Sequence, residues 1–181
     1  VAPPLWRRAG RASGWLLALI PLSVFGYFAA WLPAAVGGDV AVVRYDWVPA
    51  LQVALTFRLD GLSLLMALLV SGIGALILTY AGGYMGSDRD TGRLYALLLA
   101  FMASMLGVVT ADNVIVLYVF WELTSLTSYL LIGFKHEKEK SRKAALQALL
   151  VTGAGGLALL PGLLMLAHAG GSFEISDLLA R

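Results

Sequence analysis

Five long apolar runs dominate this chain: Trp15–Val36, Leu62–Gly83, Leu94–Val109, Val114–Phe134 and Ala144–Ala167. A helix needs roughly 17–25 such residues to cross a bilayer core about 30 Å thick. Backbone amides in lipid must be satisfied within the segment, and none of the runs alternates with period two, so helices are expected and not a barrel. The expected fold is an all-α integral membrane protein, a bundle of about five transmembrane helices. Its spans lie near 15–36, 62–83, 94–110, 113–134 and 144–167, after an N-terminal segment over 1–14 and before a tail over 168–181. The third run has only 16 residues. It is expected to extend into Thr110 and Ala111 or to be buried among neighbours. Only 13% of residues are charged, against about 25% in soluble domains.

Five crossings place the connecting segments on alternate sides. One side receives Arg7, Arg8, Arg11, Arg89, Arg93, Lys135, Lys138, Lys140, Arg142 and Lys143, and the other Arg44, Arg58 and Arg181. The positive-inside bias puts the first group, and the N-terminus, in the cytoplasm and the tail outside. A cleaved secretory signal is the rival reading of the start. The run from Trp15 to Trp31 exceeds the roughly 7–15 residues of a signal core, and Pro21 and Pro33 fit a kinked span.

Several residues punctuate the helices. Asp60, before Gly61-Leu62-Ser63, reads as an N-cap. Asp112-Asn113 marks a tight turn, and either residue is able to cap the fourth span. Lys135–Lys143 reads as a solvated cytoplasmic loop. The last span carries Thr152, Gly153, Gly155 and Gly156, then Pro161-Gly162, which suits close packing with a kink or a broken helix lining a polar path. His168 reads as an interfacial side chain.

Glu122 stands apart. It falls roughly 13 Å from Asn113 along a helix axis, near mid-bilayer. A carboxylate there costs about 3 kcal/mol or more to insert. Spacings of four, three and four put Tyr118, Glu122, Ser125 and Tyr129 on one stripe, widened by Thr124, Thr127 and Ser128. Desolvation favours a neutral acid and a nearby cation the ionised one. A carboxyl held between those tendencies loads and releases a proton when its partner moves. No Lys or Arg lies inside any span, and Lys135 is about 20 Å away along the axis. Glu122 is therefore neutral or paired with a group from another chain. The bland alternative is a protonated acid that only fixes helix packing.

No cysteine is present, which removes disulfides and thiolate sites. No nucleophile–base pair, phosphate loop or metal motif is readable. The chain is read as a non-enzyme with no cofactor, no metal and no nucleic-acid partner.

The segments Phe57–Leu69 (FRLDGLSLLMALL), Tyr80–Met85 (YAGGYM), Ala111–Phe134 (ADNVIVLYVFWELTSLTSYLLIGF) and Ala148–Gly156 (ALLVTGAGG) resemble the antiporter-like membrane subunits. These occur in Mrp-type sodium/proton antiporters, respiratory complex I and membrane-bound hydrogenases. The Trp121-Glu122 block is the most specific part, and its wording is most similar to the large A-type component of Mrp antiporters. Complex I relatives tend to carry glycines where Leu123, Thr124 and Ser125 follow the glutamate here.

The resemblance implies that Glu122 belongs to a proton-translocation path, coupled to a lysine on a later, discontinuous helix. That helix is not in this sequence, and the family's large subunit is several times longer. The chain is thus expected to be an N-terminal portion, starting at the family's second helix, in a bacterial or archaeal plasma membrane. Its expected partners are the bilayer, protons, sodium and other antiporter subunits, including the chain bearing that lysine. The alternatives are a proton-pumping subunit of complex I or a hydrogenase, and a purely structural scaffold.

Overall fold

The computed structural model describes residues 12–48, 53–84 and 90–180. Arg7, Arg8, Arg11, Arg89 and Arg181 lie outside them, as does most of the 1–14 segment. Five described helices are long and apolar enough to cross a membrane.

Helix α1 covers Ala12–Ala30 and keeps Pro21 inside. It stops at Trp31, and a short α2, Leu32–Val36, restarts with Pro33 in its first turn. Pro33 has no N–H to give the carbonyl of Ala29, so the helix breaks a turn ahead of the proline. The first run is therefore interrupted at Trp31 into two helical pieces, within one candidate span over Trp15–Val36.

The following connection holds an antiparallel hairpin, β1 (Ala41–Val48) and β2 (Val53–Leu59), paired from Ala41↔Leu59 to Val48↔Val53 with an irregularity between Asp46 and Val48. This hairpin is an addition to the expected helical bundle. Its strands, AVVRYDWV and VALTFRL, are rich in the β-branched and aromatic residues that favour a pleated, half-buried surface.

Helix α3 runs over Gly61–Tyr84 and α4 over Thr91–Thr110. The third span thus reaches 20 residues, by extending at both ends and stopping where Ala111 turns extended. Helix α5 covers Val114–Ile132 and α6 covers Glu139–Gly170. Helix α6 begins inside the stretch expected to be a loop: only the first part of that stretch turns, and Glu139–Lys143 is helical. An i,i+4 ion pair of 2.8 Å between Lys143 and Glu139 and an acid in the first turn favour that start. At the other end α6 passes His168 and stops at Gly171, whose φ of 67° suits glycine. It is continuous through Pro161, so the broken-helix alternative does not hold. A short α7, Ile175–Leu179, follows.

The helices pack in sequence, α1 on α3, α3 on α4, α4 on α5 and α5 on α6. Ala18, Leu78, Ala81 and Tyr95 form the core where α1, α3 and α4 meet. The hairpin, the α4–α5 turn and the tail gather at one end: Asp112 N–H donates to Thr56 O at 2.9 Å and Val114 N–H to Phe173 O at 2.9 Å. At the opposite end the Arg93 guanidinium lies 5.9 Å from the centre of the Phe134 ring. The five long helices therefore alternate in direction.

Candidate functional site

Helix α5 is fixed first at its start. Asn113 is the N-cap, its Oδ1 accepting from the amides of Ile115 at 3.0 Å and Val116 at 3.4 Å. Asp112 has a different task. Its carboxylate accepts from the amide (2.9 Å) and the hydroxyl (2.7 Å) of Ser176, so it holds the tail. Asp60 caps α3 as expected, accepting from the amides of Leu62 at 3.1 Å and Ser63 at 3.0 Å.

A polar knot closes this end. Glu174 Oε1 accepts from Thr56 Oγ1 at 3.1 Å and Asn113 Nδ2 at 3.2 Å, with Arg44 at 3.4 Å. Glu174 and Asn113 are both buried, at 9% and 0% exposure. Nothing in the sequence marks Glu174, Thr56 and Arg44 as a group. Glu174 lies 118 residues from Thr56 and 61 from Asn113, so no local pattern joins them. A groove of about 630 Å³ beside the knot is lined by Arg44, Asp46, His168 and Asp177 among others. His168 is exposed there.

Glu122 is the ninth residue of the 19 in α5. A groove of about 410 Å³ runs past it, lined by Tyr118, Val119, Glu122, Leu123, Ser125, Leu126 and Leu149. Three members of the expected stripe, Tyr118, Glu122 and Ser125, meet there, and Tyr129 is not in the lining. The neighbouring hydroxyls turn to their own helix and do not donate to the carboxyl. Ser125 and Thr124 donate to the carbonyl of Trp121 at 3.3 and 2.7 Å, and Thr127 to that of Leu123 at 2.7 Å. Back-bonding of this kind satisfies a hydroxyl in an apolar helix.

The Glu122 carboxyl is left in an unusual position. Its Oε1 is buried without a hydrogen-bond partner, and it packs against Gly156 on α6. No ion pair among the described residues involves Glu122. An unsatisfied buried oxygen costs about 1–3 kcal/mol, and more when charged.

The α5–α6 seam explains how the carboxyl gets there. The buried residues of α6 are Ala145, Gly156 and Ala167, spaced eleven apart and so close to one face of the helix. Ala145 meets Gly133, and eleven residues forward on α6 and eleven back on α5 Gly156 meets Glu122. The glycine cluster is plain in the sequence. This pairing is not, because antiparallel register is invisible in either helix alone.

Comparison with known proteins converges on one family. Residues 111–181 match the family described as "NADH:quinone oxidoreductase/Mrp antiporter, TM", and residues 47–95 match "NADH-Ubiquinone oxidoreductase (complex I), chain 5 N-terminus". The A1 subunit of the Na(+)/H(+) antiporter of Staphylococcus haemolyticus is 41% identical over 168 residues, covering 93% of this chain and 21% of that protein. The A1 subunit of the Staphylococcus aureus antiporter is 41% identical over 176 residues, covering 97% and 22%. The chain therefore spans about a fifth of the length of these relatives. The structure of the Mrp complex from Dietzia sp. DQ12-45-1b superposes with a TM-score of 0.87 at 37% identity, over 99% of this chain and 19% of that one. An archaeal membrane-bound sulfane sulfur reductase shares the fold at a TM-score of 0.74 and 19% identity, over 94% of this chain and 26% of that one. With its five apolar helices and these matches, the chain is a multi-pass membrane protein that belongs to the antiporter-like membrane subunit family, and within it is similar to the A1 subunits of Na(+)/H(+) antiporters.

Proposed function

We propose that this chain contributes Glu122 as the intramembrane proton carrier of a multisubunit sodium/proton antiporter in a bacterial or archaeal plasma membrane, and is not itself an enzyme. The single observation that carries the reading is the buried, unpartnered Oε1 near the middle of α5, beside a groove open along Tyr118 and Ser125. A carboxyl in that setting moves a proton when a cationic partner approaches and withdraws. Other membrane subunits or segments, including one bearing a lysine, would supply the partner. Tyr118 and Ser125 offer oxygens for a water chain in the groove. The extramembrane charge bias puts the Lys135–Lys143 end in the cytoplasm and the hairpin and tail outside.

The family matches also name complex I, which keeps a redox-driven pump as the second reading. In both readings Glu122→Gln should abolish or strongly impair ion movement in vesicles, driven by a cation gradient in the first and by electron transfer in the second, while the complex still assembles. Unchanged flux in that variant removes Glu122 from the mechanism. Copurifying iron–sulfur subunits would favour the second reading over the first.

A further inference from the structure

We propose that Gly156 is a positioning residue for the Glu122 carboxyl: its missing side chain leaves the space against α6 that Oε1 occupies. The inference rests on the proton-carrier reading for its functional meaning, although the positioning itself is tested separately below.

A Cβ added at Gly156 would lie 3.1 Å from Cδ of Glu122 and would overlap Oε1. The carboxyl oxygen thus stands where any other residue would put its first side-chain atom. At Gly153, Gly155 and Gly162 an added Cβ meets nothing within 4 Å. Of the glycines inside this helix's apolar run, Gly156 is the one whose vacant space a titratable group fills.

The glycine is not there to let the helices approach. Ala145 is buried on the same face of α6, so the seam already accepts a methyl three turns away. At Gly133 an added Cβ would be 3.3 Å from Cβ of Ala145, an approach made with alanine in place. What differs at Gly156 is that the group opposite is the end of a flexible acidic side chain. A methyl there displaces the carboxyl and does not part the helices. The groove past Tyr118, Ser125 and Leu149, which Glu122 already lines, is open to it.

Glycine therefore gives the acid two stations. In one, Oε1 lies against α6 without a polar partner. In the other, the carboxyl turns into the groove, where water or a cation from the rest of the assembly reaches it. Gly156→Ala removes the first station and leaves the second.

The test uses the full complex in membrane vesicles with four variants: Glu122→Gln, Gly156→Ala, Glu122→Asp, and Gly156→Ala combined with Glu122→Asp. Two quantities are read: cation-driven proton flux, and the rate at which a water-soluble carbodiimide with a small amine nucleophile labels residue 122, followed by mass spectrometry. Gly156→Ala should speed labelling of Glu122 several-fold, because the carboxyl is forced into the open groove, and should impair flux. In the Glu122→Asp background the acid is one methylene shorter and does not reach the new methyl, so adding Gly156→Ala should change neither readout. This is a double-mutant cycle, and the coupling between the two positions is what it measures. If Gly156→Ala blocks assembly with Glu122 but not with the aspartate, the steric coupling also stands.

An unchanged labelling rate in Gly156→Ala, or an equal effect in both backgrounds, overturns the inference. Normal flux in Glu122→Gln overturns the proton-carrier reading instead, while the labelling cycle still decides the positioning.

Discussion

Asn113 joins two tasks that substitution can separate. Its Oδ1 caps α5, and its Nδ2 donates to the buried carboxylate of Glu174 at 3.2 Å. Asn113→Ala removes both. Losing the cap costs about 1 kcal/mol (range roughly 0.5–2), and losing a hydrogen bond to a charged group about 1.5–3 kcal/mol. The expected loss is about 2–4 kcal/mol. Asn113→Asp behaves differently. Aspartate caps a helix as well as asparagine does, but it replaces the donor facing Glu174 with a second acid. Two charges at that range repel by up to about 4 kcal/mol at an effective dielectric of about 20, part of which Arg44 offsets. Thermal unfolding of the purified complex in detergent at neutral pH checks both variants. If Asn113→Asp matches the wild type at neutral pH, the knot around Glu174 is not holding α5 to the tail.

Two further outcomes are expected. The Asp60 carboxyl is held below its ordinary value near 3.8, chiefly by the Ser63 amide and further by the Ser63 hydroxyl and Arg58, against opposing burial. Its stabilisation is complete above that ordinary value and fades as pH falls through the lower folded one. The melting-temperature advantage of wild type over Asp60→Asn should shrink in acid, and a constant difference would refute the linkage. Because the chain has no cysteine, single cysteines report sidedness directly. Asp39→Cys, exposed ahead of the hairpin, should react with an impermeant maleimide in whole cells. Glu137→Cys, exposed at the opposite end, should react only after permeabilisation. The reverse pattern would invert the topology.

Composition and run length carry the helical bundle, because lipid leaves the backbone few options. The capping roles of Asp60 and Asn113 are legible for a similar reason: a cap is a contact across two or three residues. The hairpin is harder to see. Its strands follow a broken apolar helix, and the first five residues of β1, AVVRY, carry no clean alternation to separate them from a connecting loop. The start of α6 misleads because dense charge next to a span resembles a loop, whereas Glu139 and Lys143 stabilise a helical turn in water before the span begins.

The candidate site divides along the same physical line. That Glu122 is exceptional follows from one helix, since depth and solvation cost depend only on position along it. That Tyr118 and Ser125 share its groove follows from helical spacing, and Tyr129 fails to join them because its place depends on what packs at the α5 end. The role of Gly156 is of another kind. Four glycines in one apolar run look equivalent, and each by itself means only that backbones come close. Their meanings separate once α5 and α6 are set antiparallel, with Gly133 against Ala145 and Glu122 against Gly156. The information for that register is spread over Asn113, Glu174 and Asp112, which tie both helices to the same end of the bundle. A change in the knot that slid α6 by one residue would turn Gly156 away and aim Gly155 or Leu157 at the acid. On the proposed reading, the buried polar closure at the end of the bundle and the glycine gap at its centre act together, since the register set by the first decides which residue of α6 faces Glu122.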